Sequence, residues 1–176
     1  QRCLTSLVSQ TYNRFEVLVC DDGSTDDTKE IVEAFRNQLS IRYFWEPNWG
    51  GPARPRNKGI AEAAYDWICF LDSDDWWYPN KLAECIPHTD NYDLIYHDLD
   101  IHTKSGMQEV KKCRGLTKPL LRDLVINGNG LLNSGVMVKK DLIKNAGGFS
   151  EDKNLIAVED ADLWIKVALL TDKFYY

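Results

Sequence analysis

Asp72, Asp74 and Asp75 place three carboxylates in four residues, directly after the apolar run Trp67-Ile68-Cys69-Phe70-Leu71. Neighbouring acids repel one another and have no apolar face to bury, so they need water, a helix N-terminus or a cation. An Asp-x-Asp unit at the carboxyl end of a strand suits a hard divalent metal bound through oxygen. Open α/β sheets bind their ligands at that edge. The plainer alternative is a helix cap, with Asp74 or Asp75 serving the segment that follows. A second acidic cluster, Asp21-Asp22, ends the apolar run 15–20, and a third, Glu159-Asp160, opens a segment with Leu163, Trp164, Val167 and Leu170 at helical spacing. In a parallel sheet, both strand ends face one edge. Two acidic ends there make a cleft of like charge, which is costly unless a cation or a hydrogen-bonding ligand fills it.

The elements that must position these acids are legible in the pattern. Residues 1–11 read as the latter part of a helix, with Leu4, Leu7 and Val8 on one face. Residues 15–20 (FEVLVC) read as a buried parallel strand. Gly23 permits the tight turn after it, and Ser24 or Thr25 is expected to cap the next helix. Strands are expected at 41–45 and 67–71, with helices at 56–64 and 80–85. Between them lies a loop of Pro47, Gly50, Gly51, Pro52 and Pro55. Residues 92–102 alternate apolar and polar side chains as one strand. Lys104-Ser105-Gly106 reads as a hairpin turn, with a return strand at 107–113. A helix at 119–126, a strand at 134–138, a short helix at 141–145, a glycine turn at Gly147-Gly148 and a helix at 159–170 complete the order. Strands alternating with helices imply an α/β fold with a mostly parallel sheet, made mixed by the hairpin. No repeat or linker divides the chain, so one domain is expected over 1–176.

Composition bounds the function. The 176 residues are 44% hydrophobic and 27% charged, ordinary for a globular domain. A net charge of -6 gives no support to nucleic-acid binding. It leaves peripheral membrane association open, since a local basic patch is enough for that. No apolar run of about 18 residues is present to span a bilayer. Five cysteines without CxxC spacing read as buried free thiols in a reducing compartment. His88, His97 and His102 have no partner visible in the sequence, and no metal role is assigned to them.

The blocks CDDGSTDDT, PARPRNKGIAEA, ICFLDSDDWWYPNKL, NSGVMVKKDLIKNAGGF and EDADLWIKV, in this order over essentially the whole chain, resemble the family 2 glycosyltransferases of GT-A fold. The resemblance implies an inverting enzyme that uses a nucleotide-diphosphate sugar. It places Asp21 and Asp22 at the nucleotide base, where a carboxylate accepts from N3–H of uracil; a UDP-sugar donor follows. It makes Asp74 the ligand of Mn2+ or Mg2+, and puts Asp72 at the ribose or a metal-bound water. It implies that Asp160 is the base that deprotonates the acceptor hydroxyl, with Glu159 as its neighbour and substitute. Arg56, with Asn57 and Arg54, stands where a cation would meet the diphosphate or the base, although a solvated helix start explains it nearly as well. One of Trp76 and Trp77 is expected in the core and the other beside the sugar or acceptor. The resemblance further implies a saccharide or lipid-linked saccharide acceptor, cell-surface polysaccharide synthesis, and a cytoplasmic site, at the inner face of the membrane if associated with it.

The sequence departs from that pattern in one respect. The family opens with a strand of the type VSVIIPTYN, and nothing matching it precedes residue 1, which predicts a gap between the strands at 15–20 and 67–71. A segment is expected to be missing beyond Tyr176 as well. Three competing readings remain. A nucleotidyltransferase of similar fold would need a glycine-rich basic loop, which is absent. A receiver-like signalling domain would need a further Asp and a later Lys. A nucleotide-sugar-binding pseudoenzyme differs from an enzyme only in turnover.

Overall fold

The first βαβ unit forms because β1 carries the β-branched Val17 and Val19, β2 carries Ile41 and the aromatic Tyr43, Phe44 and Trp45, and its helix is short and buries Val32. β1 (Val17–Asp22) and β2 (Ile41–Glu46) pair in parallel, Val17 against Ile41 through Asp22 against Glu46, with α2 (Thr28–Glu33) crossing between them. α1 (Arg2–Val8) packs on this unit through Leu4 and Leu7, which join Val17, Val32, Leu39, Ile41, Trp77 and Leu82 in one core. The computed structural model describes residues 1–103 and 106–176, with backbone only for 107 and 108.

Downstream, α3 (Ala53–Glu62) leads into β3 (Trp67–Cys69), and α4 (Lys81–Cys85) into β4 (Leu94–Ile95). β5 (Leu99–Thr103) and β6 (Gly106–Lys111) form an antiparallel hairpin with an irregularity between Ile101 and His102. Then come α5 (Leu120–Asn127), β7 (Met137–Lys139), α6 (Lys140–Asn145), α7 (Glu159–Ala168) and β8 (Phe174–Tyr175). The second sheet has the order β3-β7-β4-β8, antiparallel on both sides of β7 and parallel between β4 and β8. Its core is Val136, Val138, Leu94, Ile143, Leu163, Trp164 and Val167, all fully buried. The architecture is therefore mixed α/β with helices on the sheets, and the mostly parallel sheet expected is antiparallel at its centre. Among the described residues β1 and β3 share no ladder.

Four other expectations are corrected. The run 92–102 is two strands, not one. Gly135 lies so close to the His97 carbonyl that a Cβ there would sit 2.7 Å from it. Asp98 accepts from the Cys113 amide at 2.7 Å and from the Tyr176 hydroxyl at 2.8 Å, which pulls the chain out of the ladder between β4 and β5. The helix after Gly23 is not capped by Ser24 or Thr25. Asp26 instead accepts from the Thr28 amide at 3.1 Å, while the Ser24 amide donates back to Asp21. α4 begins at Lys81, too far downstream for Asp75 to cap it. Cys3, Cys20 and Cys69 are only partly buried, although all five thiols are free. The turn expected at Lys104 and Ser105 lies outside the described residues.

Candidate functional site

Asp21 and Asp22 close β1, and both carboxylates are already engaged. Asp21 is 7% exposed and accepts from the Ser24 amide at 2.7 Å and from the Tyr43 hydroxyl. Burial pushes its pKa up, but the hydrogen bonds from Tyr43, Ser24 and Gly23 outweigh it, and the net shift is downward. Tyr43 is pushed up to about 12, first by burial and then by the Asp21 carboxylate it serves. Asp22 accepts from the Trp49 amide at 2.7 Å and the Gly50 amide at 3.0 Å, pinning the proline- and glycine-rich loop to the strand end. Gly23 makes this possible: its φ is 83°, and a Cβ would stand 2.5 Å from the Asn48 nitrogen.

α3 supplies the centre of the site. Arg56 donates through Nη2 to Asp72 Oδ1 and through Nη1 to Glu159 Oε1, both at 2.8 Å. Its guanidinium lies 5.3 Å from the centre of the Phe149 ring. Phe149 is buried in turn against Phe70, edge to face at 5.2 Å, and against Trp164. Asn57, one residue on, accepts from the Phe149 amide at 2.9 Å and donates to the Phe149 carbonyl at 2.8 Å. Gly147 and Gly148, at φ 90° and 73°, bend the chain into that grip. The glycine turn therefore holds the floor beneath Arg56.

The loop after β3 presents the Asp-x-Asp unit. The Asp72 amide donates to Ser134 Oγ at 3.2 Å, and the Asp75 amide to the Asp72 carbonyl at 3.0 Å. Asp74 is exposed, and its carboxylate has no hydrogen-bond partner among the described residues; its backbone carbonyl accepts from Arg2 at 2.9 Å. Trp77 is in the core with its indole N–H on the Ser134 carbonyl at 2.8 Å. Trp76 is partly exposed, with Arg2 over its ring at 3.7 Å. An open groove of about 560 Å³ runs beside it, lined by Arg2, Thr5, Ser9, Trp76 and Tyr78.

α7 begins with the third acidic pair. Glu159 is 5% exposed and its Oε2 has no partner among the described residues. Asp160 is half-buried. It accepts from the Ala161 amide at 2.7 Å and from Asn129 Nδ2 at 3.3 Å. Its pKa is raised: burial contributes most and the Glu159 charge adds, while the Ala161 amide and Arg56 pull the other way. A carboxylate poised upward is suited to taking a proton.

The structure thus brings Arg56, Asp72 and Glu159 into direct contact, sets Asp160 beside Glu159 on α7, and leaves Asp74 on the exposed loop. Asp21 and Asp22 form a separate group at the end of β1. Sequence reasoning missed Tyr43, Asn129 and Ser134. Tyr43 and Ser134 looked like ordinary strand residues, and Asn129 sat in a turn read as flexible, so no local signal marked them. The histidines lie elsewhere: His88 stacks on Tyr175 at 3.8 Å, His102 against Trp76 at 4.9 Å, and His97 is largely buried. No group of three or more His, Cys, Asp and Glu side chains gathers as a ready metal cage among the described residues.

The model of glycosyl transferase family 2 matches residues 1–138. An uncharacterized glycosyltransferase of Rickettsia conorii is 32% identical over 167 residues, which cover 94% of this chain and 27% of that protein. The poly(ribitol-phosphate) beta-N-acetylglucosaminyltransferase TarS of Staphylococcus aureus is 39% identical over 92 residues, 51% of this chain and 16% of its own length. The crystal structure of TarS 1–349 in complex with UDP-GlcNAc superposes with a TM-score of 0.76 at 26% identity, covering 98% of this chain and 50% of that one. The chain therefore spans about half or less of each of these relatives. Among the described residues no helix is long and apolar enough to cross a membrane.

Proposed function

The chain belongs to glycosyl transferase family 2 and has the GT-A fold, and from that premise we propose that it moves a sugar from a UDP-sugar to a hydroxyl of a saccharide or lipid-linked saccharide acceptor, inverting the anomeric centre, in cell-surface polysaccharide synthesis. The observation that carries the reading is the ionic contact of Arg56 with both Asp72 and Glu159 at 2.8 Å. It joins Asp72 of the loop after β3 to Glu159 of α7, far apart in sequence. That TarS is solved with UDP-GlcNAc supports a uridine donor here.

In this reading Asp21 and Asp22 face the nucleotide base with the lone pairs their internal hydrogen bonds leave free. Asp160 takes the proton of the acceptor hydroxyl as its oxygen attacks the anomeric carbon from the face opposite the departing diphosphate. The raised pKa of Asp160 fits that role. The donor set also fits Mn2+ or Mg2+: Asp74 is exposed and unspent, Asp72 keeps Oδ2 free of hydrogen bonds among the described residues, and the ligands are hard oxygens. With so few protein ligands, such a cation would share its shell with diphosphate oxygens and water. When bound, it would neutralise the charge that develops on the leaving diphosphate. Arg56 supplies a fixed positive charge beside Asp72 in support. We place all these roles within one domain of a protein that works in the cytoplasm or at the inner membrane face.

Calorimetry of the full-length protein with UDP, with and without Mn2+, together with UDP-sugar hydrolysis, tests the reading. Mn2+-dependent UDP binding is expected, with both binding and hydrolysis lost in Asp74→Ala. Failure of the wild type to bind UDP or to turn over any sugar nucleotide would overturn it.

A further inference from the structure

Glu159 is the harder of the two α7 acids to explain. It sits beside Asp160, yet its side chain is only 6% exposed, and its one partner among the described residues is Arg56. A carboxylate this enclosed has no open path to an acceptor hydroxyl. A buried charge held by one partner depends wholly on that partner. Arg56 is itself fixed on three sides, by the Phe149 ring at 5.3 Å, by Asp72 Oδ1 and by Glu159 Oε1. The start of α7 is also held by Asp160, which accepts from the Ala161 amide and Asn129 Nδ2, and by the Asp162 amide on the Val158 carbonyl at 3.1 Å, but none of these reaches the donor side. Val158 occupies its N-cap without a side-chain bond, and of the first-turn acids Glu159 is the one tied to Arg56. Ala157, just ahead, has a φ of 73°, a left-handed conformation that a non-glycine residue keeps only where its surroundings enforce it.

Building on the glycosyltransfer reading, we propose that Arg56 and Glu159 are positioning residues. Their ion pair is a strut that ties the donor-side acid Asp72 to the first turn of α7 and thereby fixes where Asp160 presents its carboxylate. The planar fork of arginine reaches two acceptors at once, which a lysine ammonium at the end of a flexible stem does not reproduce. The donor loop and the proton-accepting helix then share one cation, which stays on Asp72 when Glu159 is neutralised but no longer holds α7. Glu159 has no proton-transfer role in this arrangement. Asp160 alone touches the acceptor, and Glu159 and Arg56 are the charged groups whose fields act on it.

The test uses Arg56→Lys, Arg56→Gln and Glu159→Gln in the full-length protein, with three readouts. Amide hydrogen exchange of the donor-free protein reports on the strut without any activity. The expected result is exchange at least tenfold faster at the Asp162 amide, which donates to the Val158 carbonyl, and in the turn of α7 that follows it in each variant, with the remaining core unchanged. Calorimetry with UDP and Mn2+ should find Glu159→Gln within about threefold of wild type, while its rate of UDP-sugar hydrolysis falls about thirtyfold or more. The acid limb of that rate should move to lower pH in Glu159→Gln and to higher pH in Arg56→Gln. Unchanged α7 protection overturns the proposal, as does loss of UDP affinity in Glu159→Gln equal to its loss of rate, acid limbs that move in the same direction, or full activity in Arg56→Lys. If the wild type neither binds UDP nor hydrolyses a UDP-sugar, the glycosyltransfer reading falls, and the exchange result still decides whether the strut exists.

Discussion

Asn57→Ala tests whether the glycine turn is held as described. The asparagine accepts from the Phe149 amide at 2.9 Å and donates to its carbonyl at 2.8 Å, and Phe149 is 2% exposed. Alanine leaves that N–H and C=O without partners in a buried place. Each such loss costs roughly 1–3 kcal/mol. The third bond, from Asn57 Nδ2 to Glu151 at 3.1 Å, is exposed and contributes little. The expected destabilisation is therefore about 2–6 kcal/mol, which for a domain of this size lowers Tm by roughly 4–24 °C. Urea and thermal unfolding, followed by near-UV circular dichroism, measure it. Arg54→Ala is the control, because its pair with Glu46 at 3.3 Å is exposed; a change under about 0.5 kcal/mol is expected. An Asn57→Ala protein within about 0.5 kcal/mol of wild type would refute the reasoning, since the Phe149 backbone would then have other partners.

Two further expectations follow from the titratable groups. Asp160 has its pKa raised in the folded protein, chiefly by burial, so the folded state holds the proton more tightly than the unfolded chain, and stability falls as pH rises through the unfolded value near ~3.9. At neutral pH that cost is present, so Asp160→Asn should unfold at a temperature equal to or above that of the wild type while losing transfer; a clear drop in Tm would count against a strained functional acid. Asp123 is the opposite case: hydrogen bonds from Arg114, then Asn127, hold its carboxyl down at about 2. Its stabilisation is complete above the unfolded value of about 3.9 and is lost as pH falls toward 2. Asp123→Asn should therefore flatten the acid limb of a Tm-against-pH profile between roughly pH 4 and 2, and an unaltered limb would exclude the assignment.

The local alphabet of the chain determined much of this protein. Apolar β-branched runs made β1, β2 and β7, helical spacing in residues 159–170 made α7, and Gly147 and Gly148 occupy left-handed positions that other residues avoid. The order of five motif blocks along the chain was enough to suggest its family, which the family model matches over residues 1–138. What the sequence could not settle was which charge meets which. Arg56 looked as much like a solvated helix start as a ligand-binding cation, because the two acids it joins lie 16 and 103 residues away. Only the packing of α3 between the β3 loop and α7 makes those separations into contacts. Besides the local Ser24 amide, the hydrogen bonds that engage Asp21 and Asp22 come likewise from Tyr43, Trp49 and Gly50, on the neighbouring strand and loop. The break between β4 and β5 depends on Gly135 and Cys113, and no alternation of apolar and polar residues within 92–102 encodes it. Propensity and patterning act over a few residues, and so the sequence determines its elements. Ion pairs and backbone contacts depend on distance through space, and so tertiary structure alone decides which acids share a cation and which of them stays free to take a proton.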